Sequence, residues 1–198
     1  MSSDPPSSGS PCSGEAVERP RILIVSGPSG VGKSSVCDRL LQSGSIYLSI
    51  SATTRAPRGD ERDGVHYHYL SKDDFIARAD RGEFLEYAQV HGETYYGTLA
   101  APVEEALARG HHVLLDIDVQ GAEKLRKKGL PVLSVILKAT PEQLRVRLEG
   151  RGDTTPEQIA TRLSYAQEEI LQAWRYDMMI SNEDLDRTEA TLRAFLGI

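Results

Sequence analysis

The chain has 198 residues, of which 39% are hydrophobic and 26% charged, the proportions of a globular domain with a substantial core. Its formal net charge of −6 argues against general nucleic-acid binding, and no apolar run reaches the roughly 18 residues of a membrane-spanning helix. Two cysteines provide neither a disulfide framework nor metal-ligand spacing, so we expect a single cytoplasmic domain.

The first 20 residues are rich in Ser, Pro and Gly and carry almost no apolar side chains. Such a segment cannot bury enough apolar surface to offset the entropy lost on ordering it. We therefore expect residues 1–20 to be disordered and the folded domain to occupy residues 21–198.

A glycine-rich loop follows the first apolar run, Ile22–Val25, which we interpret as a buried strand. It matches the pattern G-x-x-x-x-G-K-[ST], and apolar residues at helical spacing come next. The glycines let main-chain N–H groups turn around a polyphosphate, which also meets the positive end of the following helix. We expect Lys33 to reach the β- and γ-phosphates and the Ser34 hydroxyl to hold Mg²⁺. The predicted nucleotide-binding residues of this loop are Gly27, Pro28, Ser29, Gly30, Val31, Gly32, Lys33, Ser34 and Ser35.

Four further apolar runs are predicted to be core strands. They are Tyr47–Ser51, Val113–Ile117, Val132–Leu137 and Met178–Ile180. Apolar strands that alternate with helical stretches predict an α/β fold, a P-loop NTPase core whose parallel sheet is sandwiched by helices. Hydroxyl residues three positions before an acid or amide predict helix starts at Ser71, Thr140 and Thr155.

Residues 52–98 do not follow this alternation of apolar strands and helices. Alternating patterns there predict short antiparallel strands around one helix, residues 72–81, inserted between core strands. Arg55 and Arg58 lie three residues apart, and guanidinium forks suit phosphate oxygens, with Tyr67 and Tyr96 as further O–H donors. A solvated surface loop would contain the same residue types, so this pattern alone leaves both interpretations open. The five histidines lack partners at metal spacing and are interpreted as solvated or packed.

Several motifs, in one order and spacing from about residue 21 to the C-terminus, together resemble the guanylate kinase family. They are SATTRAPR (51–58), DGVHY (63–67), EYA (86–88), YYGT (95–98), LDIDVQG (115–121), RLEGRG (147–152) and NEDL (182–185).

The resemblance implies ATP-dependent phosphorylation of GMP, and of dGMP, with Mg²⁺, in purine nucleotide metabolism. It implies a core (21–50, 99–146 and 163–198), a GMP-binding lobe (51–98) and a mobile lid (147–162), with ATP and GMP as partners and no obligate protein partner. Asn182 joins the ATP site. The implied catalytic residues are Lys33, Arg147, Arg151 and Arg162. The implied GMP-binding residues are Ser51, Arg55, Arg58, Tyr67, Glu86, Tyr96, Thr98, Asp116 and Asp118.

Glu86 suits a guanine contact on chemical grounds. Guanine offers two adjacent donors, and an ionised carboxylate only accepts hydrogen bonds, whereas adenine would leave one carboxylate oxygen unpaired. Asp116 and Asp118 would share a strand face, so either could contact Mg²⁺ or guanine, and Asp118 could instead cap the next helix.

Two other functions remain open at this point. A non-catalytic guanylate-kinase-like module would bind a phosphorylated peptide in the GMP lobe, but it would be expected to have lost loop or lid residues that are present here. Another nucleoside monophosphate kinase would act on AMP, dTMP or UMP, against which Glu86 and Thr98 argue.

Overall fold

The computed structural model of the chain describes residues 21–90, 94–150 and 155–198. The tail over residues 1–20, for which the sequence predicts disorder, lies outside them. The strands of the described residues are β1 (Ile22–Ser26), β2 (Ile46–Leu48), β3 (Ala52–Thr53), β4 (His68–Tyr69), β5 (Phe84–Val90), β6 (Thr94–Leu99), β7 (His112–Leu115), β8 (Val132–Lys138) and β9 (Met178–Ser181). The helices are α1 (Lys33–Leu41), α2 (Lys72–Asp80), α3 (Ala100–Ala108), α4 (Val119–Lys127), α5 (Pro141–Glu149), α6 (Pro156–Leu171) and α7 (Leu185–Leu196), with a 3-10 turn at Ala173–Arg175.

The main sheet is parallel throughout, with strand order β2-β7-β1-β8-β9. β1 lies at its centre, and alternation along this strand sends successive side chains into two different cores. Leu23 and Val25 pack with residues of α1, α5 and α7, while Ile22 and Ile24 pack with residues of α3 and α4. Because both faces of this strand are buried, its sequence is a continuous hydrophobic run. The parallel sheet covered by helices confirms the predicted α/β class.

The predicted helix starts have the expected caps. Ser71 accepts a hydrogen bond from the main-chain N–H of Asp74 at 3.1 Å. Thr140 and Thr155 each form a complete capping box with the glutamine three residues later. These local bonds satisfy N–H groups that the first helical turn leaves unpaired, so each start is set by nearby sequence.

The inserted residues form a second sheet, with order β4-β3-β6-β5, around a small core of Ala52, Phe75 and Phe84. The prediction of antiparallel strands is confirmed for the β3–β6 and β5–β6 pairs and wrong for β3–β4, which pair in parallel. Residues 54–67 join those two strands. This long connection lets the chain cross back and enter β4 in the same direction as β3, which a tight hairpin turn does not allow.

No helix in residues 21–90, 94–150 or 155–198 has both the length and the apolar character needed to span a bilayer.

Candidate active site

The glycine-rich loop between β1 and α1 adopts backbone conformations that only glycine adopts freely. Gly27 and Gly32 have φ angles of +146° and +97°. An added Cβ would lie 2.7 Å from the Leu137 carbonyl oxygen at Gly27, and 2.7 Å from Asn182 Nδ2 at Gly32. Both the backbone conformation and the close packing therefore require glycine, as expected for a main-chain anion-binding loop.

The carbonyl of Val31 is the fixed point of this loop. Val31 is fully buried, and its carbonyl oxygen accepts hydrogen bonds from Asn182 Nδ2 and from Arg147 Nη1, both at 2.8 Å. Arg147 also donates to the main-chain oxygen of Asn182 at 2.9 Å. These two predicted site residues therefore contact the loop directly, and with Ser35, Gly30 and Gly32 they line a cavity of about 300 Å³.

Lys33, the first residue of α1, pairs with Asp116 at 2.6 Å. Asp116 follows the carboxyl end of β7, which neighbours β1 in the sheet, so parallel pairing brings the two side chains to one edge. Burial, the largest single influence, lowers the pKa of Lys33, but the Asp116 carboxylate, together with smaller effects of Cys37 and Glu169, leaves that pKa raised. The ion pair with Asp116 therefore holds Lys33 as a charged ammonium group next to the glycine-rich loop.

Asp118 has the capping role that the sequence left open. Its Oδ1 accepts a hydrogen bond from the main-chain N–H of Gly121 at 2.9 Å, which begins α4. Asp116 and Asp118 therefore differ in role here, one facing Lys33 and the other a helix terminus.

Helix α6 contacts the loop at one residue and the last residue of β1 at another. Arg162 Nη1 donates to Ser29 Oγ at 3.1 Å, and two turns later Glu169 accepts from Ser26 Oγ at 3.4 Å. Burial raises the pKa of Glu169. The predicted site residue Arg162 therefore contacts the loop, whereas Arg151 lies outside the described residues. Glu169 was not predicted, because nothing near it in the sequence marks it.

Arg55 is the centre of a polar network in the inserted sheet. Its guanidinium holds both oxygens of Glu61, at 2.8 and 2.9 Å, and its Nε donates to the Tyr96 hydroxyl at 3.2 Å. The ring centroid of Tyr67 lies 5.3 Å from the guanidinium carbon. Two predicted phosphate ligands, Tyr67 and Tyr96, therefore lie around a third, Arg55.

Glu61 organises this network and was also missed. It accepts further hydrogen bonds from the Arg58 main-chain N–H at 2.8 Å and from the Tyr69 hydroxyl at 2.9 Å. The hydrogen bonds from Arg55 lower the pKa of Glu61 to about 2, and Glu61 in turn raises the pKa of Arg55. The sequence signal that could have identified Glu61 is an acidic residue six positions after Arg55. The Arg58 side chain itself is exposed.

Glu86 and Thr98 face each other across β5 and β6. The Thr98 hydroxyl donates to Glu86 Oε1 at 2.9 Å, and burial raises the pKa of Glu86. Ser51, at the start of the same sheet, is half-buried and accepts the His68 main-chain N–H at 2.9 Å through its carbonyl.

One cavity of about 370 Å³ joins the loop to the inserted sheet. Its walls include Lys33, Ser34 and Asp116 on one side and Glu61 and Tyr67 on the other. The predicted phosphate ligands Lys33, at the start of α1, and Tyr67, in the 54–67 connection, therefore face one space. Burial, followed by the nearby Asp116 carboxylate, raises the pKa of Tyr67, which places that phenol at the same junction.

Comparisons with known proteins show which family this chain resembles. Residues 19–197 match the family model described as Guanylate kinase. The guanylate kinase of Haemophilus influenzae is 46% identical over 179 residues, covering 88% of this chain and 86% of that protein. The one from Bifidobacterium longum is 45% identical over 179 residues, covering 87% and 91%. The crystal structure of guanylate kinase from Anaplasma phagocytophilum matches with a TM-score of 0.70 at 31% identity, covering 91% of this chain and 86% of that one.

Proposed function

Because the chain belongs to the guanylate kinase family, it transfers the γ-phosphoryl group of ATP to GMP, and we propose which of its residues hold each nucleotide. The observation that carries the assignment is the shared cavity, in which Lys33 and Ser34 face Tyr67 and Glu61. Glu61 is the carboxylate that holds the Arg55 guanidinium beside this cavity.

ATP is assigned to the loop. Its polyphosphate would accept hydrogen bonds from main-chain N–H groups of residues 27–35 other than Pro28, which has none. A phosphate would also replace Asp116 as the partner of Lys33. Arg147, Asn182 and Arg162 support it, since all three already contact the loop.

Mg²⁺ is assigned to Ser34. Ser34 and Asp116 both line the cavity, and oxygen donors of this kind suit the ion. Within the described ranges no three His, Cys, Asp or Glu side chains are grouped to hold a metal unaided, so phosphate oxygens and water would complete its shell. The bound ion would neutralise charge on the phosphates.

GMP is assigned to the inserted sheet, with its phosphate on Arg55, Arg58, Tyr67 and Tyr96. Its base would meet Glu86 and Thr98, with Ser51 and the Asp116–Asp118 segment beside them. The Thr98 hydroxyl occupies one oxygen of Glu86, which orients the carboxylate towards the two adjacent guanine donors. A site built on such hydrogen bonds discriminates against a mismatched base by ~10⁴-fold or more.

Transfer then needs positioning and charge stabilisation rather than a protein nucleophile. A GMP phosphate oxygen attacks the γ-phosphorus, while Lys33 and the arginines Arg147, Arg151 and Arg162 stabilise charge on the transferring group. We assign residues 51–98 to the GMP lobe and 147–162 to the lid, whose closure would exclude water and limit ATP hydrolysis. We further propose that dGMP is a substrate and that the enzyme acts in the cytoplasm, where a free Cys37 thiol persists, without an obligate protein partner.

The test is initial velocity with each nucleoside monophosphate at fixed ATP and Mg²⁺, coupled to ADP formation. GMP, followed by dGMP, should turn over far faster than AMP, dTMP or UMP. Faster turnover with AMP would refute the base assignment. ADP formation with none of them, while a phosphopeptide binds, would identify the non-catalytic module.

A further inference from the structure

Helix α4 ties the core to the strand that carries Glu86. Lys124 Nζ donates to the main-chain oxygen of Tyr87 at 3.0 Å. One turn later, Lys128 Nζ donates to the main-chain oxygen of Leu85 at 2.5 Å. The two carbonyls on either side of Glu86 are therefore both held by lysines, Lys124 in the last turn of α4 and Lys128 at its C-cap.

The charges around Glu86 are balanced between opposing influences. Burial in the inserted sheet disfavours the ionised carboxylate and raises its pKa, and the Asp118 carboxylate at the start of α4 acts in the same direction. The Thr98 hydroxyl on β6 and the Lys124 ammonium on α4 favour ionisation. Lys124 is thus the cation from the packed elements that supports the charged form.

The protonation state of Glu86 matters for the base it recognises. An ionised carboxylate accepts from both guanine donors, whereas a protonated one turns an O–H towards a donor and loses that hydrogen bond. A group that keeps Glu86 ionised therefore strengthens GMP binding most at low pH.

Resting on the assignment of Glu86 to guanine, we propose that Lys124 is a positioning residue for base recognition. It fixes the main chain beside Glu86 through the Tyr87 carbonyl, and its charge keeps the carboxylate in the accepting form. Lys128 makes the same kind of bond to the same strand, so it provides a matched control for the tether alone.

The experiment measures KM for GMP and kcat at saturating ATP between pH 5.5 and pH 8.5 for wild type, Lys124→Met, Lys124→Arg, Lys128→Met and Glu86→Gln. The GMP phosphate titrates near pH 6, but equally for every variant, so the ratio of each variant's KM to wild type removes it. For Lys124→Met we expect a ratio near one at pH 8.5 that rises to about threefold at pH 5.5, with kcat little changed. Lys124→Arg should restore the wild-type profile, and any ratio for Lys128→Met should not vary with pH.

The outcomes separate the two proposals. If Glu86→Gln has the wild-type KM for GMP, the guanine assignment fails and the Lys124 proposal fails with it. If Glu86→Gln raises KM but the Lys124→Met ratio is flat with pH, like that of Lys128→Met, Lys124 is only a tether. The proposed effect of its charge on Glu86 is then overturned, while the guanine assignment stands. KM for ATP and the circular dichroism spectrum confirm that each variant is folded.

Discussion

Removing both donors to the Val31 carbonyl should destabilise the protein by more than the sum of the two single changes. Asn182→Ala deletes one hydrogen bond to this buried oxygen, but Arg147 still donates to it. Arg147→Met deletes the other, and Asn182 still donates. The double variant leaves a fully buried carbonyl with neither side-chain partner.

The magnitudes follow from the type of each bond. We expect Asn182→Ala to cost about 1 kcal/mol of unfolding free energy, for one neutral hydrogen bond. Arg147→Met should cost about 1.5–3 kcal/mol, because its bonds are charge-assisted. Leaving the buried carbonyl unpaired adds a desolvation cost of about 1–3 kcal/mol that neither single variant shows.

Urea unfolding of wild type, both single variants and the double variant measures this coupling as a double-mutant cycle. Arg145→Met, a change to an exposed arginine on the same helix, is the matched control and should have little effect. If the costs of the two single changes add to within about 0.5 kcal/mol, the Val31 carbonyl is not their shared acceptor and the reasoning is wrong.

Three further predictions concern the two nucleotide sites. Glu86→Gln should lower kcat/KM for GMP by about 10- to 100-fold, because an amide donor replaces a charged acceptor. The preference of the enzyme for GMP over AMP should become smaller, and steady-state rates with both nucleotides measure both effects. Lys33→Met should abolish measurable transfer while calorimetry still detects GMP binding, since the GMP lobe is separate; near-normal turnover would contradict the role of Lys33. The pKa of Glu61 is about 2 in the folded protein and about 4.3 in the unfolded chain. The stabilising effect of its ionised form is therefore complete above about pH 4.3 and is lost as the pH falls towards 2. Between pH 7 and pH 3 the wild type should therefore lose urea stability that Glu61→Gln does not lose, and equal losses would exclude the network as the cause.

The sequence was sufficient wherever the determining interactions are local. The run Ile22–Val25 is apolar at every position, so the sequence predicts a buried strand there without reference to its neighbours. The caps at Ser71, Thr140 and Thr155 depend on residues three positions away, and the glycine loop carries its own backbone requirements. The α/β class followed from the alternation of apolar strands with helices, and the guanylate kinase resemblance followed from the motifs between residues 51 and 185. Both are confirmed.

Tertiary structure alone decided which polar groups meet. Glu61 neutralises Arg55 because residues 54–67 fold back on themselves, and the same long connection makes the β3–β4 pair parallel. Glu169 reaches Ser26 across 143 residues, and Lys124 reaches the strand of Glu86 because α4 packs against β5. A carboxylate or an ammonium is compatible with many partners, so its identity in the sequence does not select one. The choice is made by distance and burial once the backbone has brought two elements together.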